Sequence, residues 1–209
     1  MNLATETRIF GATLETEAAG YGVMLSKEAV AGLSRYFRLL NLWNPRVHLV
    51  APCSPQEFAT RHVLESLVLL KHLPSGGSVA DVGSGGGLPI MPCLIVRPDL
   101  DAVLIDSSQK KVVFLREALA QAGMSARATV IGERFENVAA PEVDFVTCRA
   151  LERFEEVLPH LFQWAPRKAT MLLFGAKRLE TRIESLGLTS TAALLPHSQG
   201  RFLFVVKQP

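Results

Sequence analysis

The chain has 209 residues, enough for one domain with a sizeable core and a modest extension. Its 22 basic and 20 acidic side chains leave a formal charge of +2, so any contact with nucleic acid must come from a local patch rather than a histone-like excess. Cys53, Cys93 and Cys148 are scattered without a C-x-x-C pair and fit buried thiols in a reducing cytoplasm, and the histidines form no H-E-x-x-H or Cys/His cluster, so no metal is expected.

The first residues, Met1 to Arg8, are polar and acidic and do not read as a signal peptide. No run reaches the roughly 18 apolar residues of a membrane span, so a cytoplasmic location without a membrane partner is the expectation. Residues 4–19 predict a helix ending near Gly20 and Gly22. Ser26 then reads as an N-cap, with Val30, Leu33, Phe37 and Leu40 at helical spacing and a break at Asn44-Pro45. Ser54-Pro55-Gln56-Glu57 is a helix start, with a cap, a first-position proline and a glutamate able to close a capping box. That helix is expected to run to about His72 and to bury Ala59, Val63, Leu67 and Leu70. Beside this face lies a polar stripe that pairs Arg61 with Glu65 and His62 with Ser66, one turn apart. Pro74 to Gly77 closes the segment, dividing the chain into a helical extension over 1–75 and a core over 76–209.

Past residue 77 the pattern alternates. Strands are expected at 78–82, 101–106, 127–131, 143–147 and 169–174, with helices at 88–96, 108–122, 152–163 and 177–186. Such alternation predicts a parallel sheet with right-handed crossovers. The runs 188–195 and 201–207 flank Pro196-His-Ser-Gln-Gly200 and read as an antiparallel hairpin, bringing the sheet to seven strands.

The most informative stretch is Val79 to Pro89. A short apolar run holding one acid, Asp81, leads into Gly83, Gly85, Gly86 and Gly87, and Leu88 opens an apolar segment. This is a strand, a tight turn and a helix start, the arrangement that lets main chain approach a ligand closely. Asp81 has no core role and is costly unless paired, so it suits a ligand with a positive charge. The ammonium and sulfonium of S-adenosylmethionine meet that requirement; NAD has no comparable ammonium. D-x-G-x-G-x-G, through Asp81, Gly83, Gly85 and Gly87, with Leu88 in place of a further glycine, resembles the cofactor motif of Rossmann-like methyltransferases.

Downstream, Asp106 ends the second strand 23 residues after Gly83, where an acid can take both ribose hydroxyls of an adenosine or cap the next helix. Lys110 and Lys111 sit in the first turn of that helix, against its dipole, either as tolerated surface lysines or awaiting phosphate or a cofactor carboxylate. Arg116 continues the basic surface. Phe135 and Glu136 follow the third strand, where they would wall an adenine or belong to a surface helix with Phe135 as core. The fourth strand delivers Arg149 to the carboxyl edge of the sheet, with Arg153 close behind.

Arg61-His62 with Ser66, the glycine turn followed by Pro89 and Pro92, Leu104 to Ser107 with Lys110-Lys111, Phe114-Leu-Arg116, and Arg149-Ala150, in this order, resemble the glucose-inhibited division protein B family. Those proteins are bacterial methyltransferases acting on guanine nitrogen-7 in small-subunit ribosomal RNA. The resemblance spans roughly residues 25–207. It implies S-adenosylmethionine as cofactor, with contacts at Gly83, Leu88, Asp106, Phe135, Glu136 and Arg149. It also implies 16S ribosomal RNA or the small ribosomal subunit as partner. The family usually has aspartate where Glu65 stands and Asn-Leu-Thr where His48-Leu-Val50 stands. It has Gly-Ile for Ile90-Met91 and serine for Cys148, and its lysine-glycine after the fifth strand appears here as Gly175-Ala-Lys177.

Guanine nitrogen-7 has an in-plane lone pair and needs no deprotonation, so no catalytic base is nominated and alignment is expected to carry the reaction. Arg61, His62, Lys110, Lys111, Arg116, Arg149, Arg153, Lys177 and Arg178 are the residues expected to face RNA. The alternatives are a small-molecule methyltransferase on the same cradle, a non-catalytic RNA-binding relic, and a nucleotide-dependent oxidoreductase. The intact glycine motif argues against the second, and Leu88 with the terminal hairpin against the third.

Overall fold

The computed structural model describes residues 2–149 and 154–208. Helix α1 (Leu3–Glu17) starts on Asn2, whose Oδ1 accepts the Thr5 N–H at 2.9 Å, and runs into a 3₁₀ turn at Ala18–Tyr21. Helix α2 (Lys27–Val47) starts on the expected cap, Ser26, whose Oγ accepts the Ala29 N–H at 3.2 Å. The break expected at Asn44-Pro45 is absent: α2 continues to Val47 with Pro45 in its last turn. A proline so close to the end removes a single helical bond where the ladder is about to stop. Asn44 organises the exit. Its Oδ1 accepts the N–H groups of Leu49 (2.8 Å) and Val50 (3.0 Å), and its Nδ2 donates to the Val50 carbonyl. His48 takes the left-handed C-cap position at φ 54°, a conformation that asparagine, the residue the resemblance implies there, adopts more readily.

The third helical stretch, α3 (55–71), starts on Ser54 as expected, but it is not one kind of helix. Phe58–Leu64 is π-helical and Val68–Lys71 is 3₁₀. At the end of the π segment the Glu65 N–H reaches back five residues to the Thr60 carbonyl, so the Arg61 carbonyl loses its α-helical partner. Glu57 does not turn back to its cap; it pairs with Arg61 at 2.5 Å.

Seven strands follow: β1 (Ser78–Val82), β2 (Asp101–Ile105), β3 (Ala128–Ile131), β4 (Phe145–Arg149), β5 (Thr170–Ala176), β6 (Ser190–Leu194) and β7 (Arg201–Lys207). Their order is β3-β2-β1-β4-β5-β7-β6, with β1 to β5 parallel and β7 antiparallel to both its neighbours. Helices α4 (Ile90–Val96), α5 (Gln109–Gln121), α6 (Phe154–Trp164) and α7 (Arg178–Ser185) lie between strands. This is the Rossmann-like sheet with its antiparallel closing hairpin. Strand β4 sits two residues later than expected. Asp144 stays outside the ladder and its Oδ2 accepts both the N–H and the hydroxyl of Ser78.

Both faces of the sheet are covered, which is why its strands are apolar on both sides. One face packs with the N-terminal helices in a single cluster that joins Phe10, Leu33, Phe37, Phe58 and Leu67 to Val79, Leu104, Leu172 and Leu203. Phe10 and Phe37 stack within it at 4.5 Å. The other face holds Ala80, Val82, Val146 and Phe204 against Leu158 and Leu161 of α6 and Leu179 and Ile183 of α7. The strand order reverses between β1 and β4, and the crevice beyond their carboxyl ends is where open α/β sheets bind ligands.

Candidate active site at the carboxyl edge of the sheet

Asp81 lies inside β1, fully buried, and neither carboxylate oxygen has a hydrogen-bond partner. Burial pushes its pKa up to about 7; the adjacent Ser84 hydroxyl works against the shift, and the nearby charge of Asp106 adds to it. The turn that follows is built by main chain. The N–H groups of Gly83 and Ser84 both donate to the Ile105 carbonyl, at 2.9 and 3.1 Å, and the Ser84 hydroxyl donates to the Asp81 carbonyl at 2.8 Å. Gly87 has φ 86°, and a Cβ there would lie 2.3 Å from the Met91 side chain. Gly85 also has a positive φ, of 56°, yet a Cβ on it would meet only the Gly83 carbonyl oxygen, at 3.8 Å. The turn is therefore closed on its protein side and open on the side of Gly85. Leu88 is buried and still within the turn; α4 begins at Ile90, two residues later than expected.

Asp106 turns inward. Its Oδ2 accepts the Gly85 N–H and its Oδ1 the Ser108 N–H, both at 2.8 Å. Each bond uses one of the two lone-pair sites on its oxygen, so both oxygens keep acceptor capacity for a ligand hydroxyl. Phe135 is 6% exposed and meets the Trp164 ring edge-on at 5.5 Å, so it belongs to the core as well as to the loop after β3. Glu136 is paired with Arg134 at 3.0 Å. Burial works to raise its pKa, but that hydrogen bond and a backbone N–H hold it below the usual range.

Arg149, at the end of β4, is held from several sides. Its Nη2 donates to the Arg61 carbonyl (2.6 Å) and to Glu65 Oε2 (3.2 Å), its Nη1 to Ser66 Oγ (3.3 Å), and its guanidinium lies 5.2 Å from the centre of the Phe174 ring. The Arg61 carbonyl is the one released by the π segment. Glu65, almost wholly buried, also accepts two bonds from Arg201 of β7, at 2.9 and 2.7 Å. The expected Arg61–Glu65 pair is thus replaced: Arg61 is on Glu57, and Glu65 joins β4 to β7. The expected His62–Ser66 contact runs instead from the Ser66 hydroxyl to the His62 carbonyl. The His62 ring packs against Phe58 at 5.2 Å, and burial, with Arg149 and Arg61 nearby, lowers its pKa to about 4.

The other basic residues divide. Lys110, exposed, and Lys111, half-buried, open α5 at the carboxyl edge. Lys177 follows β5 at the same edge, paired with Glu180 and 5.6 Å from the Phe202 ring centre. Arg178 is paired with Glu155 at 2.6 Å. Arg116 is further along α5 and donates to the Val130 carbonyl on edge strand β3, so the fold does not gather it with the others. Arg153 lies outside the described residues. Gly175, where the resemblance has a lysine-glycine pair nearby, approaches α7 so closely that a Cβ would fall 2.6 Å from Leu179.

The family described as rRNA small subunit methyltransferase G matches residues 29–198 of this sequence. The chain belongs to that family. A ribosomal RNA small subunit methyltransferase G from Anaeromyxobacter sp. is 32% identical over 193 residues, covering 91% of this chain and 90% of its own length. The one from Nitrosomonas eutropha is 37% identical over 149 residues, covering 64% and 69%. Among solved structures, a SAM-dependent methyltransferase from Aquifex aeolicus aligns with a TM-score of 0.58 at 16% identity, covering 82% of this chain and 97% of that one. TYW2 from P. horikoshii in complex with MeSAdo aligns at 0.54 and 15%, covering 69% and 61%. These likenesses establish the fold of S-adenosylmethionine-dependent methyltransferases, and the family membership makes the chain a methyltransferase of ribosomal RNA.

Two contacts of the candidate site escaped the sequence. Tyr36 of α2 donates from its buried hydroxyl to the Gly86 carbonyl at 2.5 Å, bracing the glycine turn from the N-terminal helices. In sequence it is one more aromatic at core spacing beside Phe37. Arg201 opens a strand more than a hundred residues from Glu65, and only the hairpin's return beside β5 brings them together. Among the described residues, no three metal-ligating side chains cluster and no helix is long and apolar enough to cross a membrane.

Proposed function

We propose that this protein transfers a methyl group from S-adenosylmethionine to nitrogen-7 of a guanine in 16S ribosomal RNA, without a general base. The observation that carries the cofactor half is Asp81: a wholly buried carboxylate with two unpartnered oxygens beside an open glycine turn calls for a cation. The cradle fits S-adenosylmethionine. Asp81 answers its positive charge, Gly83, Gly85 and Gly87 bring main chain close, Leu88 supplies an apolar contact, and Asp106 has acceptor capacity for the ribose hydroxyls. Phe135 and Glu136 wall the adenine side, and Arg149 stands at the far edge beside β4.

Bound there, S-adenosylmethionine supplies an electrophilic methyl on a positively charged sulfur. The guanine nitrogen already carries its lone pair, so the chain has to align rather than deprotonate. The residues agree with that division of labour: His62 is turned onto Phe58, Asp81 and Asp106 are enclosed around the cradle, and no Ser-His-Asp arrangement stands nearby among the described residues. The rigid turn, fixed by Ile105, Asp106 and Tyr36, limits the reorientation left for the reaction. Lys110, Lys111, Lys177 and Arg61, with Arg153 beyond the described residues, are the cations we assign to the RNA backbone around the crevice; Arg116 stands further off. The substrate in this reading is 16S ribosomal RNA, naked or within the small ribosomal subunit, in the cytoplasm.

The test is methyl transfer from labelled S-adenosylmethionine to small subunits lacking the modification, to naked 16S RNA and to free nucleosides. We expect label in RNA, recovered after digestion as 7-methylguanosine, and little on nucleosides. Label on another base would overturn the position, and preference for a small molecule would overturn the substrate.

A further inference from the structure

Helix α2 carries a second basic surface that the site does not use. Past Glu28 in its first turn, whose carboxylate is held at Ser26, the helix contains no acid and three arginines. At 3.6 residues per turn, Arg35, Arg38, Leu42 and Arg46 fall on one stripe, about 16 Å long. All four are exposed, and Leu42 keeps 63% of its surface in solvent. Arg35, Arg38 and Arg46 have no ion pair and no hydrogen-bonded partner among the described residues, whereas Arg61, Arg97, Arg134, Arg149, Arg178 and Arg201 each hold a carboxylate. A merely solvated helix face ordinarily mixes signs; this one does not.

The stripe has a fixed relation to the cradle. Trp43 meets Phe114 of α5 at 5.9 Å, and the first half of α2 shares a cavity of about 110 Å³ with the last residues of α5, so the helices run antiparallel. The end of α2 bearing Arg46 therefore lies beside the end of α5 bearing Lys110, and Val113, one turn along α5 from Lys110, is exposed. On its inner side the same helix braces the glycine turn, through Tyr36 on the Gly86 carbonyl and Leu40 against Gly86.

We propose that the Arg35–Arg38–Arg46 stripe of α2, continuous with Lys110, binds the phosphate backbone of ribosomal RNA flanking the target base. This rests on the reading of ribosomal RNA as substrate. Charge complementarity selects the occupant: unpaired arginines in a row suit a polyanion, and the exposed leucine and valine among them give sugar or base faces something to lie on.

The test is R35Q/R38Q/R46Q, with R167Q, an arginine on the opposite sheet edge, as control. Each neutralised phosphate contact contributes roughly 0.7–0.9 to the slope of log affinity against log salt. The triple variant is expected to lower that slope by about 2 to 3 for naked 16S RNA. It should raise KM for the subunit at unchanged kcat, keep the wild-type affinity for S-adenosylmethionine, and melt like wild type; R167Q should leave the slope alone. An unchanged slope on naked RNA overturns the proposal, including when subunit binding alone is lost, since that would mark a protein partner. Methyl transfer by the wild type, run in parallel, separates the two readings. If wild type neither binds nor methylates ribosomal RNA, the substrate reading falls with the surface; if it does both and the triple variant matches it, only the surface falls.

Discussion

Asp81 sets the pH behaviour of the free protein. Its pKa is raised from 3.8 to about 7 because burial strips water from the charged form and Asp106 repels it. A folded-state pKa above the unfolded one means the native chain binds more protons, so the stability tied to this group is full below about pH 4 and is lost as pH rises through 7. A shift of about 3 units corresponds to roughly 4 kcal/mol by pH 8. Asp81→Asn is therefore expected to flatten the fall in melting temperature between pH 5 and 8, while weakening S-adenosylmethionine by at least tenfold. Binding a cation returns the carboxylate to its charged form. Calorimetry of the wild type in buffers of different ionisation heat should show close to one proton released per cofactor at pH 6 and almost none at pH 8.5. No proton release at pH 6 would remove Asp81 from the cofactor's charge. The setting of this residue, an acid inside an apolar strand beside glycines, was legible in sequence. The pairings of Arg61 and His62 were not: helical spacing predicts which residues face one another in an α-helix, and here the helix is not α.

At the level of elements, the π segment of α3 is the device that ties helix to sheet. Widening the helix diverts the Glu65 N–H to Thr60 and leaves the Arg61 carbonyl to the Arg149 guanidinium, while Glu65 is clamped by Arg149 and Arg201. Three elements, α3, β4 and β7, meet at one nearly buried carboxylate. Removing one charge from such a group strands the others, at about 3–5 kcal/mol. Glu65→Gln should therefore lower the melting temperature by roughly 6–20 °C for a chain of this size. Glu65→Asp, which keeps the charge and matches the family's usual residue, should cost less than half as much. Equal losses in both variants would mean that chain length, not charge, holds the junction. The alternation of strands and helices past residue 77 was readable, since each element announces its period and its turns. Irregular helix is not, because the bond that defines it is chosen by a partner distant in sequence. The Asn44-Pro45 break failed for another reason: a proline in the last turn removes a single bond, and Asn44 fixes the exit past Val47 by binding Leu49 and Val50.

Across the whole molecule, the division at residue 75 is one of topology, and the packing crosses it. The face of the sheet carrying Val79, Leu104, Leu172 and Leu203 is covered by Phe10, Leu33, Phe37, Phe58 and Leu67 in a continuous apolar cluster. Tyr36 reaches from the helices to the Gly86 carbonyl, where its loss would leave a buried acceptor unpaired at about 1–3 kcal/mol. A chain of residues 76–209 alone would expose that face and release the glycine turn from its brace. We expect it to lack a cooperative thermal transition, to bind dyes that report exposed apolar surface, and to show no calorimetric affinity for S-adenosylmethionine. The full chain should melt in a single transition whose midpoint rises with cofactor. The comparison also bears on how RNA contact and chemistry are joined: α2 carries the arginine stripe on one side and the brace of the cofactor turn on the other. If residues 76–209 folded cooperatively and bound cofactor with full affinity, the N-terminal helices would be a separable RNA-binding addition. If they do neither, the helices are part of the catalytic framework, and substrate docking on α2 acts on the same rigid body that positions the methyl donor.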